Sequence, residues 1–377
     1  MPQTPGLRPI GKTHPDETRR NNHRLVLQEI FDSGPLSRAD AARSTGLGRA
    51  TVSDITSDLI GEGLVVEVGL GESTGGKPPT LLELDPDGRF AVAVDLSRHP
   101  IEAALVNLRG RIVARAKGKA LEPAGQDALE ETHRVITELV GEATAPALGI
   151  GVGVPGVVDR SGRVVVARQL GWADLSLQDQ LEDVYGLPSH VVSDVDSAAV
   201  AEFGRTASDP SSRVLYVKVD DRIAVSFISA ARLNRTPNRG GDLTHLQVAD
   251  WEDICSCGRN GCLGTRVSMI EVLGPDYLDM STEGRSRLAV ETAPRVDEAA
   301  KHLGAALAPI VAALDVGNVV VGGELAGWPS VPAHVATGIE SVAGWSPDVA
   351  VSHLGMSAVL LGSAAMVLSG ELGVVWG

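Results

Sequence analysis

"CSCGRNGCLG", residues 255–264, carries all three cysteines of a 377-residue chain: Cys255, Cys257 and Cys262. Three thiols within eight positions, set among glycines that let a chain turn tightly, act as one constellation. Soft thiolates at this spacing suit a tetrahedral metal loop; three reduced cysteines in a glycine-rich turn without metal are the alternative. An odd cysteine count argues against a disulfide framework.

Outward from this loop, 43% hydrophobic and 21% charged residues describe a globular chain, long enough for two or three domains. No stretch reaches the apolar length that spans a bilayer. The first twenty residues, "MPQTPGLRPIGKTHPDETRR", lack the apolar core of a secretory leader. A cytoplasmic protein without a membrane partner is expected. The net charge of −15 argues against non-specific coating of nucleic acid. Residues 1–85 hold 9 Lys and Arg against 12 Asp and Glu, and residues 86–377 hold 24 against 36. The first segment is nearer neutrality, with Arg19, Arg20, Arg24, Arg38, Arg43 and Arg49 clustered early, a hint of a phosphate-facing surface.

That segment has its own grammar. Leu25, Leu27, Ile30 and Phe31 recur at helical spacing before Gly34-Pro35. Ser37 can cap a short helix to about Ser44, "STGLG" supplies a turn, and a second helix is expected from Arg49 to Glu62. "LVVEV" and "TLLEL" around a glycine-rich tip predict a β-hairpin. Helix, turn, helix and wing in this order predict a winged helix-turn-helix that reads double-stranded DNA. A small helical domain binding another protein is the plainer alternative. With Val52, Ile55 and Leu59 facing the core, the candidate DNA contacts are Arg49, Ala50, Thr51, Ser53, Asp54 and Ser57, with Lys77 at the wing tip. Asp54 and Asp58 are awkward beside phosphates; each candidate could equally be a solvated surface residue.

From Phe90 the pattern changes to α/β. "FAVAVDLS", "IEAALVNL" and "RIVARAKG" read as three strands, followed by a helix over 127–140 and a buried strand "ALGIGVGV". "VLYVKV", "IAVSFIS" and "RLNRT" repeat the opening, then helices, then "NVVVGGEL". Two α/β lobes with a cleft between them are expected.

"GVGVPGVVD" (151–159), "LGWADLSLQDQLEDVYGLP" (170–188), "SDVDSAAVAEFG" (193–204), "GGDLTHLQV" (240–248) and the cysteine loop together resemble the ROK family of bacterial sugar kinases and sugar-responsive repressors. The similarity runs in order through residues 88–377, and a winged helix in front is the layout of its repressor branch. The resemblance implies a two-lobed, actin-like kinase fold. It also implies one structural Zn²⁺ on His245, ten residues before Cys255, together with Cys255, Cys257 and Cys262.

Family kinases carry a D-x-G-G-T loop after the first strand; here Asp95-Leu96-Ser97-Arg98-His99-Pro100 has no glycine and a proline without an N–H. Their second phosphate loop is glycine-rich; here "VDDRIAV" sets Asp220 and Asp221 where polyphosphate would lie, a repulsive arrangement without Mg²⁺. Gly322 and Gly323 keep part of the adenosine-side motif. Asp194 matches the family's catalytic base, but without a phosphate site it is read as non-catalytic, and no enzyme activity is expected. The sugar-holding positions correspond to Ser193, Asp194, Asp242, His245 and Gly264. Of these only Asp194 and His245 match, so the candidate ligand residues are Ser193, Asp194, Asp242 and His245, with Asp196 an extra acid nearby.

The expected layout is a DNA-binding domain over 1–85, a first ROK lobe over 86–200 to which the C-terminal helix returns, and a second lobe with the zinc loop over 201–377. The expected function is a ROK-type transcriptional regulator, a repressor. It binds a pseudo-palindromic operator as a homodimer or homotetramer and senses a sugar or related ligand. A regulator with a degenerate, ligand-free sensor and an active sugar kinase with an appended winged helix stand as alternatives.

Overall fold

The computed structural model describes residues 15–72, 78–119, 124–206, 212–229, 240–274 and 282–374. The chain divides into two units, one reaching to Arg89 and including Leu372–Val374, the other Phe90–Glu371.

In the first unit, helix α1 (Pro15–Ser33) is followed by β1 (Leu36–Ser37), α2 (Arg38–Thr45), α3 (Arg49–Gly61), β2 (Val65–Leu70) and β3 (Thr80–Leu84). The strands form an antiparallel sheet in the order β1-β3-β2. Ser37 and Asp40 close a reciprocal capping box that starts α2, and Gly46 in the left-handed region (φ 71°) ends it. Val26, Leu27, Ile30, Ala41, Val52, Ile55, Leu59 and Leu82 are buried together. One expected core position is displaced: Leu25 is 46% exposed and Val26 is buried instead. The wing tip and Lys77 lie outside the described residues.

The second unit contains two five-stranded sheets, ordered β11-β7-β4-β5-β6 and β14-β13-β12-β15-β16. The first comprises β4 (Phe90–Asp95), β5 (Glu102–Asn107), β6 (Ile112–Lys117), β7 (Ala147–Val154) and β11 (Ser189–Ser193). The second comprises β12 (Arg213–Val219), β13 (Ile223–Ser229), β14 (Gly241–Asp242), β15 (Asn318–Gly322) and β16 (Asp348–Val351). Each pairs an antiparallel run (β4-β5-β6; β12-β13-β14) with two parallel strands, so the architecture is duplicated. A small β8-β9-β10 meander (Val157–Val158, Val164–Ala167, Trp172–Leu175) lies between β7 and β11 in the chain. The strand expected at "RLNRT" lies outside the described residues.

Helices α4 (Gly125–Glu142) and α5 (Leu177–Tyr185) share a core with the first sheet. Short α7 (Gly264–Val267) and α8 (Met269–Leu273), long α9 (Thr282–Leu314) and α10 (Val331–Ala343) share one with the second. Between the sheets run α6 (Asp194–Thr206) and the terminal α11 (Ala358–Glu371). Alpha-11 joins Ala91, Ala93, Ala104 and Val106 of the first sheet through Leu360, Ala364 and Val367. Alpha-6 joins Val214, Tyr216 and Ala224 of the second.

The alternation in "ALGIGVGV" has its cause here. Ile150, Val152 and Val154 enter the α4–α5 core, whereas on the opposite face a Cβ at Gly151 would overlap the Ser363 carbonyl and one at Gly153 would overlap Val359. Alpha-6 and α11 meet as closely: Gly362 lies against the Ser197 carbonyl, and the Ser197 hydroxyl donates to Val359 O at 2.7 Å. No described helix is long and apolar enough to cross a membrane.

Candidate metal centre, ligand cavity and nucleic-acid interface

The loop between β14 and α7 turns back on itself through bridges Gln247–Cys262 and Ile254–Asn260. Gly258 (φ 83°) permits the turn in which its N–H donates to Cys255 O. The donor atoms of His245, Cys255, Cys257 and Cys262 then lie within 4.8 Å of one another. His245 Nδ1 is 3.4 Å from Cys255 Sγ, and Cys257 Sγ is 3.7 Å from Cys262 Sγ. Tetrahedral Zn–S and Zn–N bonds of ordinary length require donor separations of roughly 3.5–3.8 Å, so the set fits a four-coordinate ion and leaves no ligand position open. Arg259 Nε–H donates to Cys257 Sγ at 3.5 Å and draws that thiol down to about 6, while burial pushes Cys262 up to about 11. A divalent cation would stabilise both as thiolates.

Lys218 is the interior charge of the otherwise apolar β12 and is buried. Its ammonium lies 3.0 Å from Asp194 Oδ2 and 2.6 Å from Asp220 Oδ2, and donates to Ser97 Oγ at 3.0 Å. Arg222, at the β12–β13 turn, reaches Asp194 Oδ1 at 2.6 Å. Both oxygens of Asp194 are thus occupied by cations of its own chain. Burial alone would raise the Asp194 pKa, but the Arg222 and Lys218 charges outweigh it and hold the carboxyl below its usual range. Asp95, whose Oδ1 accepts from Ser97 N and Oγ, is pushed up to about 6 by burial that the Lys218 charge only partly offsets.

The glycines of "VVVGGEL" are also covered. A Cβ at Gly322 would overlap the Tyr216 hydroxyl, and one at Gly323 would stand 2.6 Å from Asp220 Oδ1, which itself accepts from Glu324 N at 2.7 Å. The sequence suggests bare acids at this position; in the structure Asp220 is paired with Lys218 and accepts from the Glu324 backbone. Arg98, from the 95–100 loop, lies 3.6 Å from Glu324. Lys218 and Arg222 were not identified from sequence, although a lysine between valines in a buried strand was a readable signal for a partnered charge.

A cavity of about 450 Å³ opens beside the metal loop, with Asp242 and His245 on its wall. Ser193 and Asp194 are not among its lining residues. Ser193 starts α6: its hydroxyl accepts from Asp196 N at 3.2 Å and donates to Asp196 Oδ2 at 2.7 Å, and both residues are buried. At Gly264, which does not line the cavity, a Cβ would meet Thr244 Cγ2 at 2.7 Å, so a side chain there would require Thr244 to shift.

In the first unit, Arg49, Ala50, Thr51, Ser53, Asp54 and Ser57 are all exposed on α3. Asp58, one of the awkward acids, pairs with Arg19 at 3.1 Å. No side chain caps the N-terminus of α3, leaving N–H groups there that can meet an anion.

The sequence profile of the ROK family matches residues 91–369. This chain belongs to the ROK family. The putative xylose repressor of Caldicellulosiruptor sp. (strain Rt8B.4) is 29% identical over 333 residues, covering 80% of this chain and 83% of its own. Among solved structures, a ROK family transcriptional regulator described as a homologue of the E. coli MLC protein superposes with a TM-score of 0.75 at 21% identity, covering 94% of this chain and 96% of its own. A ROK family glucokinase from Streptomyces griseus, in complex with glucose and AMPPNP, gives 0.61 at 23% identity and covers 74% of this chain but 98% of its own. The ROK fold accounts for the duplicated sheets, and the regulator match extends over more of the chain than the kinase match does.

Proposed function

We propose that this ROK protein is a transcriptional repressor that binds operator DNA as a two-fold oligomer, through the winged helix, and responds to a small polar ligand in the cavity beside the metal loop. The carrying observation is the winged helix ahead of the ROK region, with an uncapped α3 presenting Arg49 and a row of small polar side chains. The repressor name of the Caldicellulosiruptor relative and the coverage of the regulator structure support the same reading. The pairing of Asp194 with Lys218 and Arg222 favours a regulator over a kinase, because a base whose oxygens are both held by fixed cations is poorly placed to take a hydroxyl proton. His245, Cys255, Cys257 and Cys262 hold one structural Zn²⁺ in this reading.

Selection from random duplexes with the full-length protein tests it. A recurrent two-fold motif is expected, with binding that weakens steeply as salt rises. Arg49→Ala should cost about 1–3 kcal/mol of specific affinity while leaving thermal stability unchanged. Failure to enrich any motif removes the regulator assignment.

A further inference from the structure

The cavity wall reverses the charge balance of the chain. The protein as a whole holds 33 Lys and Arg against 48 Asp and Glu, yet this cavity is lined by Arg168, Arg222 and Arg259 against Asp221 and Asp242. The two carboxylates already have donors facing them. Asp221 accepts from the Gln169 amide, and Asp242 lies 3.8 Å from Arg222. Arg222 in turn is committed to Asp194.

Arg168 and Arg259 differ. Among the described residues neither has a carboxylate within 4.0 Å, and Arg259 uses only its Nε–H, on Cys257 Sγ. A planar guanidinium without a carboxylate partner, in a concave site, suits a bidentate anion. Asp194, which does not line the cavity, is consumed by Lys218 and Arg222 and adds no acceptor for a neutral sugar. The wall offers hydroxyl groups the carboxylates of Asp221 and Asp242, the neutral side chains of Gln169, Thr244 and Ser256, and the imidazole of His245. A volume of about 450 Å³ accommodates a monosaccharide derivative.

We infer that the ligand of this cavity is an anionic sugar, a polyol bearing a carboxylate or phosphate, with the anion held by Arg168 and Arg259 and the hydroxyls by Asp221 and Asp242. This rests on the sensor reading above.

Titration calorimetry on the zinc-loaded full-length protein tests it with matched pairs: glucuronate, galacturonate, gluconate and glucose 6-phosphate against glucose, galactose and xylose, with inorganic phosphate alone as a further arm. At least one sugar anion should bind ten times or more tightly than its neutral counterpart. The carboxylate and phosphate arms distinguish the two sources of charge. Arg168→Ala should weaken that binding by about tenfold or more, the scale of a lost charge-assisted hydrogen bond. Because Arg168 is not among the four donor residues of the metal loop, this loss should occur with zinc content unchanged; Arg259→Ala should act in the same direction. A neutral sugar binding as tightly as its anion, binding unaffected by both substitutions, or no heat from any sugar anion overturns the inference. Inorganic phosphate binding as tightly as the sugar phosphate overturns its sugar part. Operator binding is measured in parallel. Intact DNA binding with no anion binding defeats this inference alone, and anion binding without any DNA motif defeats the regulator reading while leaving this one standing.

Discussion

Asp95 shows how much one buried carboxyl can set. Its Oδ2 has no hydrogen-bond partner among the described residues, and burial holds the group at about 6. A carboxyl whose folded pKa is raised above its unfolded value near 3.8 contributes stability that is full below 3.8 and lost as pH rises through about 6. Two pKa units at 1.36 kcal/mol each make the effect about 3 kcal/mol. Melts of wild type and Asp95→Asn between pH 4 and 7.5 should therefore show the wild type losing up to about 3 kcal/mol relative to the variant as pH rises, since the amide does not titrate. A pH-independent difference would refute the assignment. The residue types of this cluster were legible in sequence; their pairings were not. Asp194 could be aligned with a family base by its motif, but the cations beside it come from 24 and 28 positions away, on β12 and its turn. Ser193 is a candidate ligand contact by its motif, but "SDVD" is also a helix-capping pattern, and its hydroxyl caps α6.

At the scale of elements, patterns that repeat locally were the readable ones. The capping box of α2, the exposed row of α3 and the glycine alternation of β7 each follow from periods of two or 3.6 residues. The metal loop was readable because its donors lie within eighteen positions of one another, His245 to Cys262. Its role as an element gives a direct prediction. Protein purified without chelator should carry about one zinc per chain, and Cys257→Ser should abolish most of it and loosen residues 245–264. Elemental analysis checks the first and hydrogen exchange across the loop the second. Stoichiometric protein without zinc and with ordinary stability would rule the site out. What the loop's sequence did not reveal was its neighbour: the cavity arginines Arg168 and Arg222 come from other parts of the chain, so only the folded sheets bring them to His245.

At the scale of the second unit, the segments that match the phosphate and adenosine loops of ROK kinases are packed against side chains of the chain itself. Tyr216 and Asp220 cover the two glycines, Lys218 bridges to Ser97, and Arg98 faces Glu324. Calorimetry with millimolar Mg-ATP should give no binding heat, and no hexose or amino sugar should be phosphorylated. A saturable ATP signal, or turnover that vanishes in Asp194→Asn, would restore the kinase reading. The closing helix has a consequence for how such a protein comes into being. Leu360, Ala364 and Val367 of α11 cover the face of a sheet whose first strand begins at Phe90. During synthesis from the N-terminus, the α11 contacts of that face are missing for some 270 residues of elongation, about 14–54 s at ordinary translation rates. The winged helix, whose main elements are complete by Leu84, has no such wait. A ribosome therefore presents the main elements of the first unit long before the second unit can close.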